Sequence, residues 1–90
     1  MKNKKLIVFT LEGCSYCDEI IDKLNNNNIL FFEMNINQYA DYWEKVISYT
    51  GFDFVPSIII MNKDKLDIYM AARDFKDINE LMEIIKIKFN

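Results

Sequence analysis

Ninety residues, 51% of them hydrophobic and 14% aromatic, supply enough apolar side chains for one packed core but not for two. We therefore expect a single domain over residues 1–90, not a disordered chain. The net charge of -3 and a pI near 4.8 argue against a nucleic-acid partner, because the only basic cluster is Lys2, Lys4 and Lys5.

The apolar run that opens the chain is a strand rather than a targeting segment. Leu6–Thr10 is apolar and rich in β-branched residues, which is typical of a central strand covered on both faces. No small-residue cleavage site follows this run, and no run approaches the roughly 18 apolar residues of a membrane helix. The expected location is cytoplasmic, with no membrane contact.

A strand–helix–strand unit follows. Helical spacing predicts a first helix with a buried stripe, and the asparagines at 25–28 should end it. The stripe consists of Cys17, Ile20, Ile21 and Leu24. Ile29–Met34 is the second predicted strand.

A second helix is predicted between an asparagine cap and a glycine. Asn35 or Asn37 can cap its amino end, and Gly51 should end it. Its periodic side chains are Tyr39, Tyr42, Trp43, Val46, Ile47 and Thr50.

The last third of the chain predicts a hairpin and a final helix. Ser57–Met61 and Leu66–Met70 should pair as antiparallel strands across the polar turn at 62–65. Asp74 or Asp77 can then cap a helix. The buried side of that helix would hold Ile78, Leu81, Met82, Ile85 and Phe89. The fold class is therefore α/β, in the order β-α-β-α-β-β-α, with three helices covering a four-stranded mixed sheet.

The chain's only two cysteines carry its most informative pattern. Cys14 and Cys17 are separated by two residues, directly after a strand and at the start of a helix. The unpaired amides and the dipole at a helix start favour a thiolate at Cys14, which we predict to be the nucleophile. Cys17, one turn later, can resolve a mixed disulfide, so the pair predicts thiol–disulfide exchange.

Two alternatives fit the cysteine pair less well. Structural zinc usually takes four Cys or His ligands, and the chain has two Cys and no His, so no metal is expected. A purely structural disulfide here would close a very small loop and gain little chain entropy.

Pro56, the only proline, limits where the third strand can begin. Proline is tolerated at the first position of such a strand. A cis bond there could aim the backbone groups of Val55 at a substrate lying alongside as an extra strand. The alternative is a plain strand-initiating proline.

Three segments together resemble the dithiol glutaredoxins. They are Cys14-Ser15-Tyr16-Cys17, the segment Thr50-Gly51-Phe52-Asp53-Phe54-Val55-Pro56-Ser57-Ile58, and an acidic cap at Asp74 that opens the last helix. The resemblance implies a thioredoxin-like fold, a cis bond between Val55 and Pro56, and a glutathione groove. By resemblance the groove residues are Tyr16, Val55, Pro56, Ala72, Arg73 and Asp74.

The sequence departs from that family at three places. Leu11 stands where glutaredoxins usually carry a lysine, and Phe54 stands where they carry a threonine. Ala71-Ala72, or Met70 with Ala71 in a shifted register, replaces a pair of glycines, and each added methyl restricts positive φ and close approach. Arg73 and Lys45 are the nearest candidates to replace the missing cation.

The resulting hypothesis is a monomeric, glutathione-dependent thiol–disulfide oxidoreductase acting on disulfide-containing clients, of which ribonucleotide reductase is one that the resemblance suggests. One alternative is the same chemistry supplied with electrons by thioredoxin reductase. Another is a carrier of a [2Fe–2S] cluster bridged by Cys14 and glutathione, since some glutaredoxins with serine after the first cysteine, as at Ser15, bind one. A binding module without turnover is a further alternative.

Overall fold

The computed structural model describes residues 4–89 and confirms the predicted order of elements. Met1, Lys2, Asn3 and Asn90 lie outside the described residues. The strands are β1 (Lys4–Thr10), β2 (Phe32–Asn35), β3 (Ser57–Asn62) and β4 (Lys65–Met70), and the helices are α1 (Ser15–Asn26), α2 (Ala40–Thr50) and α3 (Ile78–Lys88). None of the helices within 4–89 is long and apolar enough to cross a bilayer.

The four strands form one mixed sheet in the order β2-β1-β3-β4. β1 pairs in parallel with β2, and β3 is antiparallel to both β1 and β4. The β3–β4 hairpin turns at Lys63, whose φ of 57° is left-handed. This is the predicted arrangement, in which the β1-α1-β2 crossover is parallel and the hairpin supplies the antiparallel pairs.

Alternate residues of β1 face two hydrophobic clusters, one on each face of the sheet. Leu6 and Val8 pack with α1 and α3 in one cluster, which we call the α1/α3 cluster. Phe9 packs with Trp43 and Val46 of α2 in the other. Successive side chains of a strand point to opposite faces, so both faces of β1 are covered, as its apolar sequence predicts.

The second strand begins later than its sequence predicts. Ile29 and Phe31 pack against the α1/α3 cluster, yet they precede β2, and Leu30 between them is 87% exposed. The Ile29 N–H donates to the Leu24 carbonyl at 3.0 Å, so this backbone completes the end of α1 instead of pairing in the sheet. Burial therefore gives these residues an apolar pattern without making them a strand.

The predicted asparagine cap of α2 is wrong. The helix begins after Tyr39, whose side chain makes no capping bond, and the Asn35 side chain instead accepts a hydrogen bond from the Asn37 N–H at 2.9 Å. This local turn competes with capping, as asparagine side chains commonly do. The helix ends as predicted at Gly51, whose φ of 81° suits a glycine.

Of the two acidic candidates for capping α3, the structure selects Asp77. Its carboxylate accepts a hydrogen bond from the Glu80 N–H at 2.9 Å. Asp74 as the cap is therefore wrong. Asp74 lies three residues before Asp77, and its carboxylate accepts hydrogen bonds within the turn after β4, described below.

Candidate active site

Cys14 and Cys17 are joined as a disulfide at the amino end of α1. Cys14 is the residue that caps the helix, with its Cα 5.2 Å from that of Cys17. Its sulfur also accepts a hydrogen bond from the Cys17 N–H, with a donor–acceptor distance of 3.0 Å. Gly13, with a φ of 80°, makes the sharp turn that brings the chain from β1 into this position.

The two sulfurs differ in access. Cys14 is partly exposed, whereas Cys17 is only 1% exposed and belongs to the buried stripe of α1. The amide directed at the Cys14 sulfur favours a negative charge there once the disulfide is reduced. An external disulfide can therefore meet Cys14 first, and Cys17 is placed to react with a sulfur attached to Cys14.

The Val55–Pro56 bond is cis and immediately precedes β3. The pairing of Ser57 with Phe9 sets this bond beside the end of β1, from which the cysteine turn departs. Within residues 4–89, neither the N–H nor the carbonyl of Val55 takes part in a backbone hydrogen bond. An extended substrate chain could therefore pair with Val55 next to the sulfurs.

The segment after β4 is a tight turn held against Pro56. The Ala71 N–H donates to the Pro56 carbonyl at 3.0 Å, and the Asp74 carboxylate accepts from the Met70 N–H at 2.8 Å. Ala72 has a φ of 72°, the left-handed conformation that favours glycine. The turn thus keeps a glycine-like backbone although the residue is alanine.

Arg73 is held by its neighbours within this turn. Its Nε lies 2.7 Å from the Asp74 carboxylate, a second nitrogen donates to the Ile68 carbonyl at 2.9 Å, and its guanidinium lies 5.7 Å from the ring centre of Phe52. Guanidinium has five N–H donors, so some remain for a ligand. Lys45, the other candidate cation, lies on α2 over the ring of Tyr42.

Tyr16 points its hydroxyl into the protein. Its ring packs edge-on against Phe75, and its buried Oη has no hydrogen-bond partner among the described residues. Burial is the main cause that raises the pKa of this phenol above its ordinary value, with Asp77, Glu19 and Glu80 adding to the effect. The phenol is therefore kept neutral. Its predicted place in a glutathione groove stays a prediction. Because the hydroxyl is buried, glutathione would contact the edge of the ring.

We expect Tyr16→Phe to stabilise the protein by about 1 kcal/mol, because it removes a buried hydroxyl that lacks a partner. Urea unfolding measures this change, and Tyr49→Phe, at a tyrosine that is 77% exposed, is the control with no expected effect. The variant should also lose less stability than wild type as the pH rises above about 10, since the raised pKa favours the neutral phenol only in the folded state. A destabilised Tyr16→Phe would mean that the hydroxyl is hydrogen-bonded.

An aromatic pair that the sequence analysis did not single out flanks the cis bond. Phe52 and Phe54 have ring centres 5.3 Å apart and are 41% and 38% exposed. Their spacing of two residues in an extended segment is the signal that could have predicted the pair. Leu11, the first of the three departures from the family, is partly buried beside the cysteine turn, and its carbonyl accepts a hydrogen bond from the Cys14 N–H.

A family model described as Glutaredoxin matches residues 6–65. The matched segment contains both cysteines, Val55 and Pro56, and it ends before the turn at 71–74. No curated protein matches the sequence.

Solved structures with a similar fold include thioredoxins. Thioredoxin f from spinach chloroplast (short form) aligns with a TM-score of 0.68 at 15% identity, covering 99% of this chain and 79% of its own. Thioredoxin 1 from Thermosipho africanus TCF52B gives a TM-score of 0.58 at 22% identity, covering 96% and 99%. At such identities the likeness shows the fold alone, which is thioredoxin-like.

Proposed function

The chain belongs to the glutaredoxin family and is a thiol–disulfide oxidoreductase, and we propose that glutathione is its reductant and that its substrates are protein disulfides and glutathione mixed disulfides. The observation that carries the proposal is a Val55 backbone with no hydrogen-bond partner within 4–89, set beside the end of β1, from which the chain turns to the partly exposed Cys14. Reduced glutathione is abundant in the cytoplasm, which we propose as the location.

In the proposed first step the Cys14 thiolate attacks one sulfur of the substrate disulfide. A new bond joins Cys14 to that sulfur, the substrate S–S bond breaks, and the departing thiolate takes up a proton. The Cys17 N–H, which contacts the Cys14 sulfur at 3.0 Å, would stabilise the attacking charge.

The second step depends on the substrate. For a protein disulfide, the Cys17 thiolate attacks the Cys14 sulfur, which releases the reduced client and leaves the Cys14–Cys17 disulfide. Two glutathione thiols then reduce that disulfide and leave as one glutathione disulfide. For a glutathione mixed disulfide, a second glutathione attacks the glutathione sulfur held on Cys14 and regenerates the thiolate directly.

Glutathione is a short peptide, so an unpaired strand-like backbone suits it. The N–H and carbonyl of Val55 would pair with its central cysteine residue and hold that sulfur beside Cys14. The Arg73 guanidinium has N–H groups that the turn does not use. They could donate to a glutathione carboxylate, in place of the lysine that Leu11 replaces. One oxygen of Asp74 already serves Met70 and Arg73, so its second oxygen is the one left to accept from the glutathione amino group.

We expect Ala72→Gly to lower the KM for a glutathione mixed disulfide by about tenfold, because it removes a methyl group where the backbone must be approached closely. Stability should change by no more than about 1 kcal/mol, since relief of the left-handed alanine offsets the greater freedom of glycine in the unfolded chain. Ala71→Gly is the matched control. Ala71 is buried, so its loss should destabilise the protein without lowering KM. An unchanged KM in Ala72→Gly would argue against close approach at this turn.

The proposed reductant is tested by two parallel reactions on one glutathione mixed disulfide, each followed by NADPH consumption. One contains glutathione and glutathione reductase, and the other contains thioredoxin reductase. Activity only in the first supports the proposal. Activity only in the second assigns the electrons to thioredoxin reductase and overturns it.

The cluster-carrying alternative requires ligands from outside one chain. Within 4–89, no three Cys, His, Asp or Glu side chains converge as a metal site, and Cys14 is the one accessible cysteine. A [2Fe–2S] cluster would therefore need a second protomer and glutathione thiolates. Visible absorbance after anaerobic purification, lost in Cys14→Ser, would support that alternative.

A further inference from the structure

A second concave surface lies at the end of the domain opposite the cysteines. It is a cleft of about 920 Å³ between the start of β1, the carboxyl ends of α1 and α3, and the segment that leads into β2. Cys14 caps the other end of α1, and twelve helical residues span about 18 Å. The cleft is therefore separate from the redox site.

The cleft is apolar and reaches the hydrophobic core. Leu6 and Ile85, each 1% exposed, are shared between the cleft and the α1/α3 cluster. The apolar side chains that line it include Leu6, Ile29, Phe31, Met82, Ile85 and Phe89. Leu30, which is 87% exposed, and Phe32, which is 58% exposed, add apolar surface that this chain leaves uncovered.

The charge around the cleft is opposite to that of the whole protein. Its charged lining residues are one glutamate, Glu83, and four lysines, Lys4, Lys5, Lys23 and Lys86. This local charge of +3 leaves -6 on the other residues, since the chain carries -3 in total. Lysine is favoured in the last turn of a helix, which explains Lys23 and Lys86 one by one but not the convergence of four cations from three elements on one apolar cleft.

We propose that this cleft binds an acidic peptide segment of a partner protein, in which carboxylates alternate with aliphatic or aromatic side chains. The apolar side chains of the segment would cover Leu30, Phe32 and the core residues beneath, while its carboxylates would meet the lysines. The negative charge on the rest of the protein would disfavour binding of such a segment elsewhere. The partner would thus be held at the end of the domain that leaves Cys14 free for exchange.

The distribution of the cations distinguishes a peptide from two other anionic ligands. Four lysines from three elements suit several spaced carboxylates, whereas a fatty acid offers one. A membrane surface is met by protruding side chains. Here the apolar floor includes Leu6 and Ile85, which are buried and lie within a concave site. A chain with alternating apolar and acidic residues is the ligand that matches both the shape and the charge.

The test is fluorescence anisotropy with a labelled peptide of about twelve residues in which Leu and Phe alternate with Glu. We expect saturable binding that weakens with salt and falls by at least about tenfold in the double variant Lys23→Glu/Lys86→Glu. Lys45→Glu/Lys65→Glu, which changes the net charge equally outside the cleft, should bind as wild type does. Turnover of a glutathione mixed disulfide should persist in Lys23→Glu/Lys86→Glu, which shows that this variant is folded.

A second pair of variants tests the apolar part of the cleft. Leu30→Ser should weaken peptide binding, whereas Ile87→Ser, at an exposed α3 residue outside the cleft, should not. Absence of binding, equal binding of the peptide with Lys in place of Glu, or equal losses in cleft and control variants would each overturn the proposal. Sedimentation with phosphatidylserine vesicles in the absence of peptide binding would also overturn it, by assigning the surface to a membrane.

Discussion

Replacing Cys14 with serine is expected to lower turnover of both substrate classes by at least about 10³-fold, because a serine hydroxyl is not ionised at neutral pH and forms no disulfide. Replacing Cys17 should have an effect that depends on the substrate. Cys17→Ser retains the nucleophile, so turnover of a glutathione mixed disulfide should stay within about tenfold of wild type, while reduction of a protein disulfide is lost. Measuring both variants on both substrates gives four rates from one preparation of each protein.

The asymmetry between these variants follows from position on the helix. Cys14 caps α1 and is partly exposed, and its sulfur accepts a hydrogen bond from the Cys17 N–H. Cys17 is buried. Equal losses in the two variants on the glutathione substrate would contradict a monothiol step. Activity of Cys14→Ser with Cys17 intact would show that the buried sulfur can attack an external disulfide, and so would reverse the assigned roles.

Elements marked by periodic apolar residues, and by residues that end helices or form turns, could be predicted from the sequence. The stripe of α1, the end of α2 at Gly51 and the β3–β4 hairpin all follow from local chemistry that leaves one solution. Ile29 and Phe31 show where this fails, because their side chains pack against the core although both residues precede β2, and the Ile29 N–H closes the end of α1. Burial and strand pairing are separate properties, and only burial is visible in composition.

The polar residues of the turn at 70–75 were harder to place for a related reason. Asp74 and Asp77 both look like helix caps, and only the fold determines which carboxylate meets the first amides of α3. Asp74 instead accepts from Met70 and Arg73 and so shapes the turn that stands over Pro56. Which amide a short acidic side chain reaches depends on tertiary structure that a sequence pattern does not contain.

The site was predicted in part, and in unequal depth. The roles predicted for Cys14 and Cys17 rest on the spacing and on helix electrostatics, and the variants above test them. The pairing of the Phe52 and Phe54 rings, and the contact of Arg73 with Phe52, depend on tertiary structure that the sequence pattern does not contain. The orientation of Tyr16 depends on Phe75, a residue that no periodic pattern marked because it stands alone between Asp74 and Lys76.

Phe75 is also a site where a single substitution should greatly lower stability. Its side chain is 1% exposed within the α1/α3 cluster, its ring meets that of Tyr16 at 6.2 Å between centres, and its carbonyl accepts from the Ala72 N–H at 2.9 Å. One residue thus anchors the turn at 70–75 to the core and supports the side chain between the two cysteines.

We expect Phe75→Ala to lower the free energy of unfolding by about 3–5 kcal/mol, because it removes a buried ring and leaves a cavity. For a domain of this size that is a fall in Tm of at least about 12 °C. Phe75→Leu keeps most of the volume and should cost about 1 kcal/mol. Phe52→Ala, which removes the same ring from a site 41% exposed, should change stability far less. Thermal and urea unfolding of the three variants test the assignment, and similar losses in Phe75→Ala and Phe52→Ala would contradict it.

Assayed below its Tm, Phe75→Ala should raise KM for a glutathione mixed disulfide more than it lowers the rate of attack by Cys14, because the ring positions the turn and Tyr16, not the nucleophile.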